Sequence, residues 1–306
     1  MVEFETIINP SQDIFEQIVY WTGETEQWGF QLNDYNFWST QFDQFWLFTT
    51  IEKGTNNLVA SVSLARWDGE DGPLYSLGMY YCSQKYRGQG FGAKLFKQAM
   101  DIVGDNNATL TGVVKMSAKY ASVHGFDKMP PFWHLSANIK SGNIVIPTDV
   151  STDYVSKKWV DVDYEHLTTY DNTICTRNRR KIMTAWFNLK DTFTQVVVDK
   201  DGKIVGYGTI RLISKNRMAA APFYADNLNA AEVLLAGLLS AVPNYKQYDN
   251  IGFLYPEINT DAAKLCERFS TEYTAVPFIK CQFTKKFIDV PDKKVYGLCD
   301  CAHQFV

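Results

Sequence analysis

One segment, Gly78–Met100, constrains the fold of this 306-residue chain more than any other. It opens with a short apolar run at Met79–Cys82 and continues into a glycine loop at Arg87–Gly92. The apolar residues that then recur at spacings of three and four are Phe91, Leu95, Ala99, Ile102 and Val103. Such spacing predicts one buried face of a helix. The segment is therefore predicted to be a strand, a glycine turn and the start of a helix.

A strand, a glycine turn and a helix start, in this order, suit the binding of a phosphate. The N–H groups of a first helical turn have no partner within the helix and lie at the positive end of its dipole. Glycine has no Cβ, so the backbone can come close to the ligand. The segment therefore predicts a phosphate-bearing ligand, and the spacing of the glycines decides which one.

The first pattern that fits the glycines is Gly88-x-Gly90-x-x-Ala93, which formally matches a dinucleotide fingerprint. That fingerprint has its first glycine directly after the strand and an acidic residue at the end of the next strand. Here residues 83–87 separate the strand from the glycine, and the next apolar run, Thr109–Lys115, ends without an acidic residue. The dinucleotide interpretation is therefore weak.

The second pattern is Arg-x-x-Gly-x-Gly, at Arg87, Gly90 and Gly92. With a strand before it and a helix after it, this pattern closely resembles the coenzyme A loop of the GNAT acetyltransferases. The resemblance implies that acetyl-CoA is the co-substrate, with its pyrophosphate on the loop and its pantetheine arm along the strand, and that no metal takes part. The cofactor-binding residues that it implies are Tyr80, Tyr81, Cys82, Arg87, Gly88, Gln89, Gly90, Phe91, Gly92 and Ala93.

The order of the predicted elements extends the resemblance over residues 1–150. The predicted strands outside the opening segment are Val2–Ile8, Phe45–Ile51, Leu58–Arg66, Leu110–Val114, Phe132–Ala137 and Ile144–Ile146. One helix is predicted from an N-cap at Ser11 to about Tyr20, and another over Ser117–His124, before Gly125-Phe126. This is the order of the GNAT fold, which implies an α+β protein with a mostly antiparallel central sheet flanked by helices.

The second half of the chain repeats this plan. Its predicted elements are Lys203–Ile213, Ala219–Tyr224, Ala230–Leu239, Ile251–Tyr255 and Thr260–Phe269. We therefore predict two tandem GNAT-like domains, residues 1–150 and 151–306. The glycine loop is missing from the second copy, where Asp226 stands close to the predicted helix start. A carboxylate there would repel a pyrophosphate, so we expect the second domain to be degenerate and to bind no coenzyme.

The resemblance also indicates where catalytic groups are expected. A backbone N–H among Tyr80–Cys82 would support the oxyanion of the transition state. The family's general acid is a tyrosine five residues before the Phe of Gly-Phe, a position that Ala121 occupies here. Tyr120 lies one residue early, which on a helix is a rotation of about 100°. Tyr120 and His124 are the predicted catalytic residues, although buried Tyr and His side chains are more often structural and only find a hydrogen-bond partner.

The acceptor amine is expected to enter beside the aromatic region that precedes Phe45. Glu26, Trp28 and Phe30 are predicted to bind it, and Glu24 or Glu26 is a candidate general base. The alternative interpretation places the carboxylates in a solvated loop and the aromatic rings in the core.

Composition excludes several classes of protein. A net charge of −4 gives no reason to expect nucleic acid or an anionic membrane as partner. The longest apolar candidate for a membrane span, Val233–Val242, is far shorter than ~20 residues. Cys299-x-Cys301 has no second cysteine pair, so a zinc site is not expected among the six cysteines. We therefore expect a cytoplasmic protein.

Two functions remain open from the sequence. The first is an acetyl-CoA-dependent N-acetyltransferase acting on an amine of a small molecule or a protein. The second is a coenzyme-A-binding module that has lost its chemistry and acts as a sensor or interaction protein. The intact loop favours the first function and the displaced tyrosine favours the second. Neither the acceptor nor the oligomeric state follows from the sequence.

Overall fold

The computed structural model describes residues 2–303, so residues 1 and 304–306 of the two predicted domains lie outside the described part. The strands of the first half are β1 (Phe4–Ile8), β2 (Gln44–Glu52), β3 (Leu58–Trp67), β4 (Leu74–Cys82), β5 (Asn107–Val113) and β6 (His134–Lys140). The strands of the second half are β7 (Tyr154–Lys158), β8 (Thr192–Asp199), β9 (Ile204–Ile213), β10 (Arg217–Ala225), β11 (Asn250–Pro256), β12 (Tyr273–Phe283) and β13 (Val295–Gly297). The helices are α1 (Gln12–Glu26), α2 (Asp34–Gln41), α3 (Phe91–Val103), α4 (Val114–His124), α5 (Tyr164–Asp171), α6 (Arg180–Phe187), α7 (Leu228–Ala241) and α8 (Thr260–Phe269).

The strands form one continuous mixed sheet flanked by the helices, which is the α+β architecture predicted from the sequence. Its order is β1-β2-β3-β4-β5-β12-β6-β11-β10-β9-β8-β7, and β13 pairs with β10 outside this path. Within each half the order β1 to β5 is matched by β7 to β11, so the repeat predicted from the sequence is present.

The two halves exchange a strand where they meet. β12, from the second half, pairs antiparallel with β5 in the first half, for example Cys281 opposite Thr111. β6, from the first half, pairs antiparallel with β11 in the second, for example Ala137 opposite Phe253. The hydrogen bonding of the sheet therefore crosses the boundary predicted at residue 150.

Most predicted elements are confirmed within a few residues, and α8 has the predicted bounds. The predicted strand Ile144–Ile146 is wrong, because this segment follows a short 3₁₀ turn and has no strand partner among the described residues. Its apolar character has another cause. Ile144 is buried in the core of the second half, and the N–H of Val145 donates to the carbonyl of Phe269 at 2.9 Å.

The helix after the glycine loop packs as its spacing predicts. Leu95, Phe96, Ala99 and Val103 of α3 are buried against the sheet of the first half. Ile102, which the predicted face includes, is 36% exposed. α1 runs beyond the predicted end at Tyr20 and reaches Glu26, which carries that carboxylate towards the glycine loop. No helix within residues 2–303 combines the length and apolarity that crossing a membrane requires.

The end of the chain links the two halves a second time. β13 pairs with β10, with Gly297 opposite Phe223, and the N–H of Leu298 donates to the carbonyl of Leu254 in β11 at 2.8 Å. Residues 298–303, called the tail below, then cross to the first half. There His303 is fully buried, with Nε2 3.1 Å from Ser63 Oγ.

Candidate functional site

Strands β4 and β5 separate from each other at the centre of the first half. They pair in parallel from Leu74 opposite Asn107 to Leu77 opposite Leu110, and no further pair is formed in the described part of the chain. β4 also carries a bulge opposite Ser61–Ser63, where Met79 has a φ of +48° and its carbonyl accepts a hydrogen bond from Ser61 Oγ at 2.8 Å. A bulge redirects the backbone locally. The β4 backbone beyond Leu77 therefore faces an opening in place of a neighbouring strand.

A cavity of about 630 Å³ occupies this opening and extends to the start of α3. We call it the first cavity. Its wall includes the separated strands, the glycine loop, one face of α4 and the tail residues Cys301 and Ala302. The predicted site residues in its wall are Glu26, Trp28, Phe30, Tyr80, Tyr81, Cys82, Arg87, Gly88, Gly90, Phe91, Gly92, Ala93 and Tyr120. Thus the structure brings most of the predicted residues together in one place.

The glycine loop has the geometry that close approach of a phosphate needs. Gly88 and Gly90 have φ values of +80° and +87°, which only glycine adopts without strain. A Cβ built on either residue would have no neighbour within 4 Å, so both face open space. At Gly92 a Cβ would lie 3.0 Å from the Tyr80 hydroxyl, which explains the third glycine by packing. The loop and the first turn of α3 therefore fit a pyrophosphate.

Gln89 is the predicted loop residue that points elsewhere. Its side chain is exposed and Nε2 donates to the carbonyl of Lys85 at 3.2 Å. It is not in the wall of the first cavity as the described residues define it. Any contribution of Gln89 to coenzyme binding would therefore come from its backbone.

Two cations beside the loop share one carboxylate. Arg87 Nη2 lies 2.7 Å from Glu26 Oε1, and Lys115 Nζ lies 2.6 Å from Glu26 Oε2. Burial by itself would raise the pKa of the Glu26 carboxyl, but the hydrogen bonds and charges of Lys115 and Arg87 outweigh it and lower that pKa. A carboxylate held in this way is a weak base, which argues against Glu26 as the general base. Glu24 pairs instead with Lys215, at 3.0 Å, away from the cavity.

Tyr80, Tyr81 and Cys82 line the cavity from β4. Tyr80 and Tyr81 belong to different core clusters, as expected for successive residues of a strand. Burial raises the pKa of Tyr80 and of the Cys82 thiol. The Cys82 side chain is therefore held as a thiol, while its carbonyl accepts a hydrogen bond from Arg87 Nε at 2.9 Å.

Tyr120 reaches the first cavity despite its position one residue before the family's tyrosine. Its ring stacks on Phe96, with centroids 6.0 Å apart, and lies 6.3 Å from the Tyr80 ring. Burial raises the pKa of Tyr120, so its hydroxyl stays protonated and can donate a hydrogen bond. His124, one turn later, packs on Phe96 at 4.4 Å and lies outside the cavity wall formed by the described residues. Burial lowers the pKa of His124.

The aromatic residues predicted to bind the acceptor lie at the inner side of the first cavity. Trp28 and Phe30 meet edge to face with ring centroids 6.3 Å apart, and Phe30 is 5% exposed. Phe30 therefore belongs both to the core and to the cavity wall. A place in the core thus does not exclude these rings from the cavity wall, and their binding of the acceptor stays a prediction.

The tail is the part of the site that sequence reasoning missed. The carbonyl of Cys301 accepts a hydrogen bond from Thr111 Oγ1 of β5 at 2.5 Å. A Cβ at Gly78 of β4 would lie 2.1 Å from the carbonyl oxygen of Ala302. The tail thus passes between the separated strands, and Gly78 is glycine because the two backbones nearly touch. A glycine inside an apolar strand was the one signal in the sequence that pointed to such a contact.

The corresponding opening in the second half is filled by the chain itself. β10 and β11 pair only from Met218 to Ala220 within the described residues, and β13 lies beside them. Asn227 caps α7, accepting a hydrogen bond from the N–H of Ala230 at 3.0 Å. Asp226 is held by Lys294 Nζ at 2.9 Å. That the second half binds no coenzyme stays a prediction. Within residues 2–303 there is no cluster of side chains suited to a metal ion.

Comparison with known families agrees with this architecture. Residues 1–174, more than half of the chain, match the family described as "Protein of unknown function (DUF1248)". Residues 167–297 match the family described as "Acetyltransferase (GNAT) domain". The second half therefore carries a recognised GNAT domain although it lacks the glycine loop.

Individual proteins resemble this chain in sequence or in fold. The chain is 25% identical over 169 residues to "Uncharacterized protein F36G3.2" of Caenorhabditis elegans, a match that covers 51% of each protein, so the chain spans about half the length of this curated relative. A putative acetyltransferase from Pyrococcus horikoshii has a similar fold, with a TM-score of 0.69 at 13% identity over 97% of this chain and 95% of that one.

A tandem GNAT protein from the clavulanic acid biosynthesis pathway is also similar, with a TM-score of 0.63 at 14% identity. The match covers 92% of this chain and 97% of that one, so both halves and their arrangement are included. The chain therefore belongs to the family described as "Protein of unknown function (DUF1248)", its second half matches the GNAT acetyltransferase domain, and the two halves together have the fold of a tandem GNAT protein.

Proposed function

We propose that this protein is an N-acetyltransferase that moves an acetyl group from acetyl-CoA to an amine by direct attack on the thioester. The observation that carries the proposal is the first cavity, which joins the opening between β4 and β5 to the glycine-lined start of α3. A long opening between strands suits the pantetheine arm, and a glycine-lined helix start suits the pyrophosphate. Acetyl-CoA joins both chemical parts in one molecule.

Three features of the chain serve the transfer. Backbone N–H groups of β4 beyond Leu77 are available to the oxyanion that develops on the acetyl carbonyl. The Tyr120 hydroxyl can donate a hydrogen bond to the leaving sulfur. Because an ordinary thiol has a pKa of about 8.5, its thiolate needs only modest assistance. Arg87 and Lys115 place positive charge beside the loop for the phosphates.

The position of Tyr120 favours the enzyme over a module that has lost its chemistry. The main argument for lapsed chemistry was that the tyrosine would point away from the reacting sulfur. In the structure its ring lies in the cavity wall, between Phe96 and Tyr80. The feature that the sequence counted against catalysis is therefore compatible with it.

The test is the release of free thiol from acetyl-CoA in the presence of a panel of amines, with acetyl-CoA binding measured in parallel. We expect thiol release that depends on both the protein and the amine. Binding of acetyl-CoA without thiol release, with every small amine and peptide amine of the panel, would overturn the enzyme proposal in favour of a coenzyme-A-binding module.

A further inference from the structure

A second, smaller cavity of about 150 Å³ lies behind the first, against β10 and β11 of the second half. The two cavities share three wall residues, Phe30, Phe278 and Cys301. The two cavities therefore adjoin at these residues, and Cys301 of the tail lines both. A molecule in the second cavity would lie next to the part of the first cavity that Phe30, Phe278 and Cys301 line.

A buried guanidinium with spare hydrogen-bonding capacity faces the second cavity. Arg211 is 6% exposed and forms part of the wall. Its ion pair with Asp34 and its 2.9 Å hydrogen bond to Gln31 Oε1 both use Nη2. Nε is buried without a hydrogen-bond partner among the described residues, and the guanidinium lies 4.1 Å from the centre of the Trp186 ring. Arg211 is thus already paired with Asp34, and its other terminal nitrogen, Nη1, has no hydrogen-bond partner among the described residues and can donate to a further acceptor.

A buried carboxyl of the tail faces the same cavity. Asp300 is 7% exposed, with Oδ2 accepting from Trp38 Nε1 at 2.8 Å and Oδ1 accepting from the N–H of Ala302 at 2.7 Å. Burial, together with the nearby charge of Asp34, raises the pKa of Asp300 to about 6. A carboxyl with that pKa is largely ionised at neutral pH, yet it is a better proton acceptor than an ordinary aspartate.

The remaining wall makes room for a small polar molecule. Ala219–Ala221, Gly29 and Gly252 contribute short side chains or none, and Asn138 and Asn250 contribute amides. At about 150 Å³ the second cavity is much smaller than the first, at about 630 Å³, and suits a small ligand.

We propose that the second cavity binds the acceptor of the acetyl transfer, and that this acceptor is a small amine carrying a carboxylate, of the size of glycine or β-alanine. Arg211 holds the carboxylate and Asp300 holds the ammonium. The proposal rests on the acetyltransferase function proposed above, because it names the acceptor of that reaction. Arg217, the other arginine in the wall, donates its hydrogen bonds to the carbonyls of Ser214, Gln27 and Trp28 and shapes the cavity.

The protons of this transfer balance. The ammonium gives one proton to Asp300, and the neutral amine attacks the thioester carbonyl. The C–N bond forms and the C–S bond breaks. The second proton lost by the nitrogen neutralises the departing thiolate, and the proton on Asp300 passes to water. The products are the N-acetyl amino acid, the free thiol of coenzyme A and one proton.

The test compares acceptors of similar size, with free thiol as the readout. Glycine and β-alanine carry the carboxylate, whereas ethanolamine has a hydroxyl in its place. For the parent protein we expect kcat/KM with glycine or β-alanine to exceed that with ethanolamine at least about tenfold, as expected for a charge-assisted hydrogen bond. Arg211→Gln should remove this preference by raising KM for the two amino acids more than KM for ethanolamine.

Further variants separate charge recognition from folding. Arg66→Gln removes a partly exposed arginine near the end of β3, outside both cavity walls, and should keep the preference. Asp300→Asn should slow transfer to ethanolamine and to glycine alike, because both carry the ammonium. If Arg211→Gln fails to fold with Asp34 left unpaired, the double variant Asp34→Asn/Arg211→Gln removes both buried charges and takes its place.

The outcomes distinguish the two proposals. Equal turnover of ethanolamine and glycine, unaltered in the Arg211 variant, would overturn the acceptor assignment and leave the acetyltransferase function standing. Turnover of peptide amines alone would do the same, since they exceed the second cavity. Absence of turnover with every amine would overturn both.

Discussion

Oε1 of Glu26 lies 2.7 Å from Nη2 of Arg87, so the arginine of the glycine loop is held by a carboxylate at the end of α1. The same carboxylate holds Lys115 through its other oxygen. Both cations stand beside the loop where phosphates are proposed to bind. The carboxylate therefore competes with phosphates for the same two charges.

Glu26→Gln should strengthen the binding of acetyl-CoA. Removal of the negative charge frees Arg87 and Lys115, and partly exposed ion pairs of this kind are worth about 0.2–1 kcal/mol, or roughly one- to fivefold in Kd. Titration calorimetry of coenzyme A at low salt measures the change. Glu24→Gln, which removes a carboxylate from the same helix but away from the cavity, is the matched control. A Glu26→Gln variant with unchanged affinity and a greatly reduced kcat would instead identify Glu26 as the general base.

Gly90→Val should abolish coenzyme binding. Gly90 has a φ of +87°, which a β-branched residue resists, and its side chain would project into the space left for the phosphate. Gly54→Val is the matched control, since Gly54 has a φ of +82° and an equally open surrounding in the turn between β2 and β3. Both variants should lose stability, but only Gly90→Val should lose binding. If folded Gly90→Val protein binds acetyl-CoA as the parent does, the loop assignment is wrong.

Tyr120→Phe should lower kcat at least about tenfold with little change in KM for acetyl-CoA. Loss of general-acid assistance typically costs ~10²–10⁴ in rate, and hydrogen bonding alone costs less. Tyr255→Phe removes another buried hydroxyl, one without a hydrogen-bond partner among the described residues, and should leave turnover intact. Unaltered turnover in Tyr120→Phe would mean that His124 or water, and not Tyr120, protonates the leaving thiolate.

Acid should weaken the docking of the tail through His303. Burial lowers the pKa of His303 to about 3, against an ordinary value of 6.5. The unfolded chain therefore binds a proton between pH 6.5 and 3 that the folded protein does not bind. Above pH 6.5 His303 therefore causes no loss of stability. As the pH falls from 6.5 towards 3, its burial lowers the free energy of unfolding by about 1.4 kcal/mol per pH unit.

The measurement is urea unfolding of the parent and of His303→Gln at several values between pH 7 and pH 4. Other buried groups, including Asp300, contribute their own slopes in this range, so the difference between the two proteins is the informative quantity. His303→Gln should depend less steeply on pH than the parent. His166→Gln, which changes an exposed histidine of α5, should keep the parent's slope. Parallel curves for the parent and His303→Gln would contradict a buried, neutral His303.

Local sequence patterns predicted the parts of this protein that depend on local contacts. The glycine loop, α3 and α8 follow from glycine spacing and from apolar residues at helical spacing. The repeat between the halves followed from the order of such elements. Each of these features is determined by residues close together in the chain.

The parts that were missed depend on pairing between distant segments. β12 pairs with β5 across about half the chain, and strand alternation shows which face of a strand is buried but does not show which strand lies beside it. Asp300 and Cys301 lie in the site only because β13 leads the chain there, and their short segment has no periodic pattern. The catalytic function of Tyr120 could not be decided from the sequence, because an offset of one residue rotates a side chain by about 100° on an ideal helix. That estimate does not include the orientation of α4 in the folded protein. The orientation of α4 depends on tertiary contacts such as the stacking of Tyr120 on Phe96.

The central claim is that one coenzyme site exists in each chain, at the glycine loop of the first half. Titration calorimetry of the full-length protein with acetyl-CoA tests it most directly. We predict a stoichiometry of one per chain, because the strand opening of the second half is filled by β13 and its helix start is capped by Asn227. Two sites per chain, or no binding at all by the folded protein, would contradict the account.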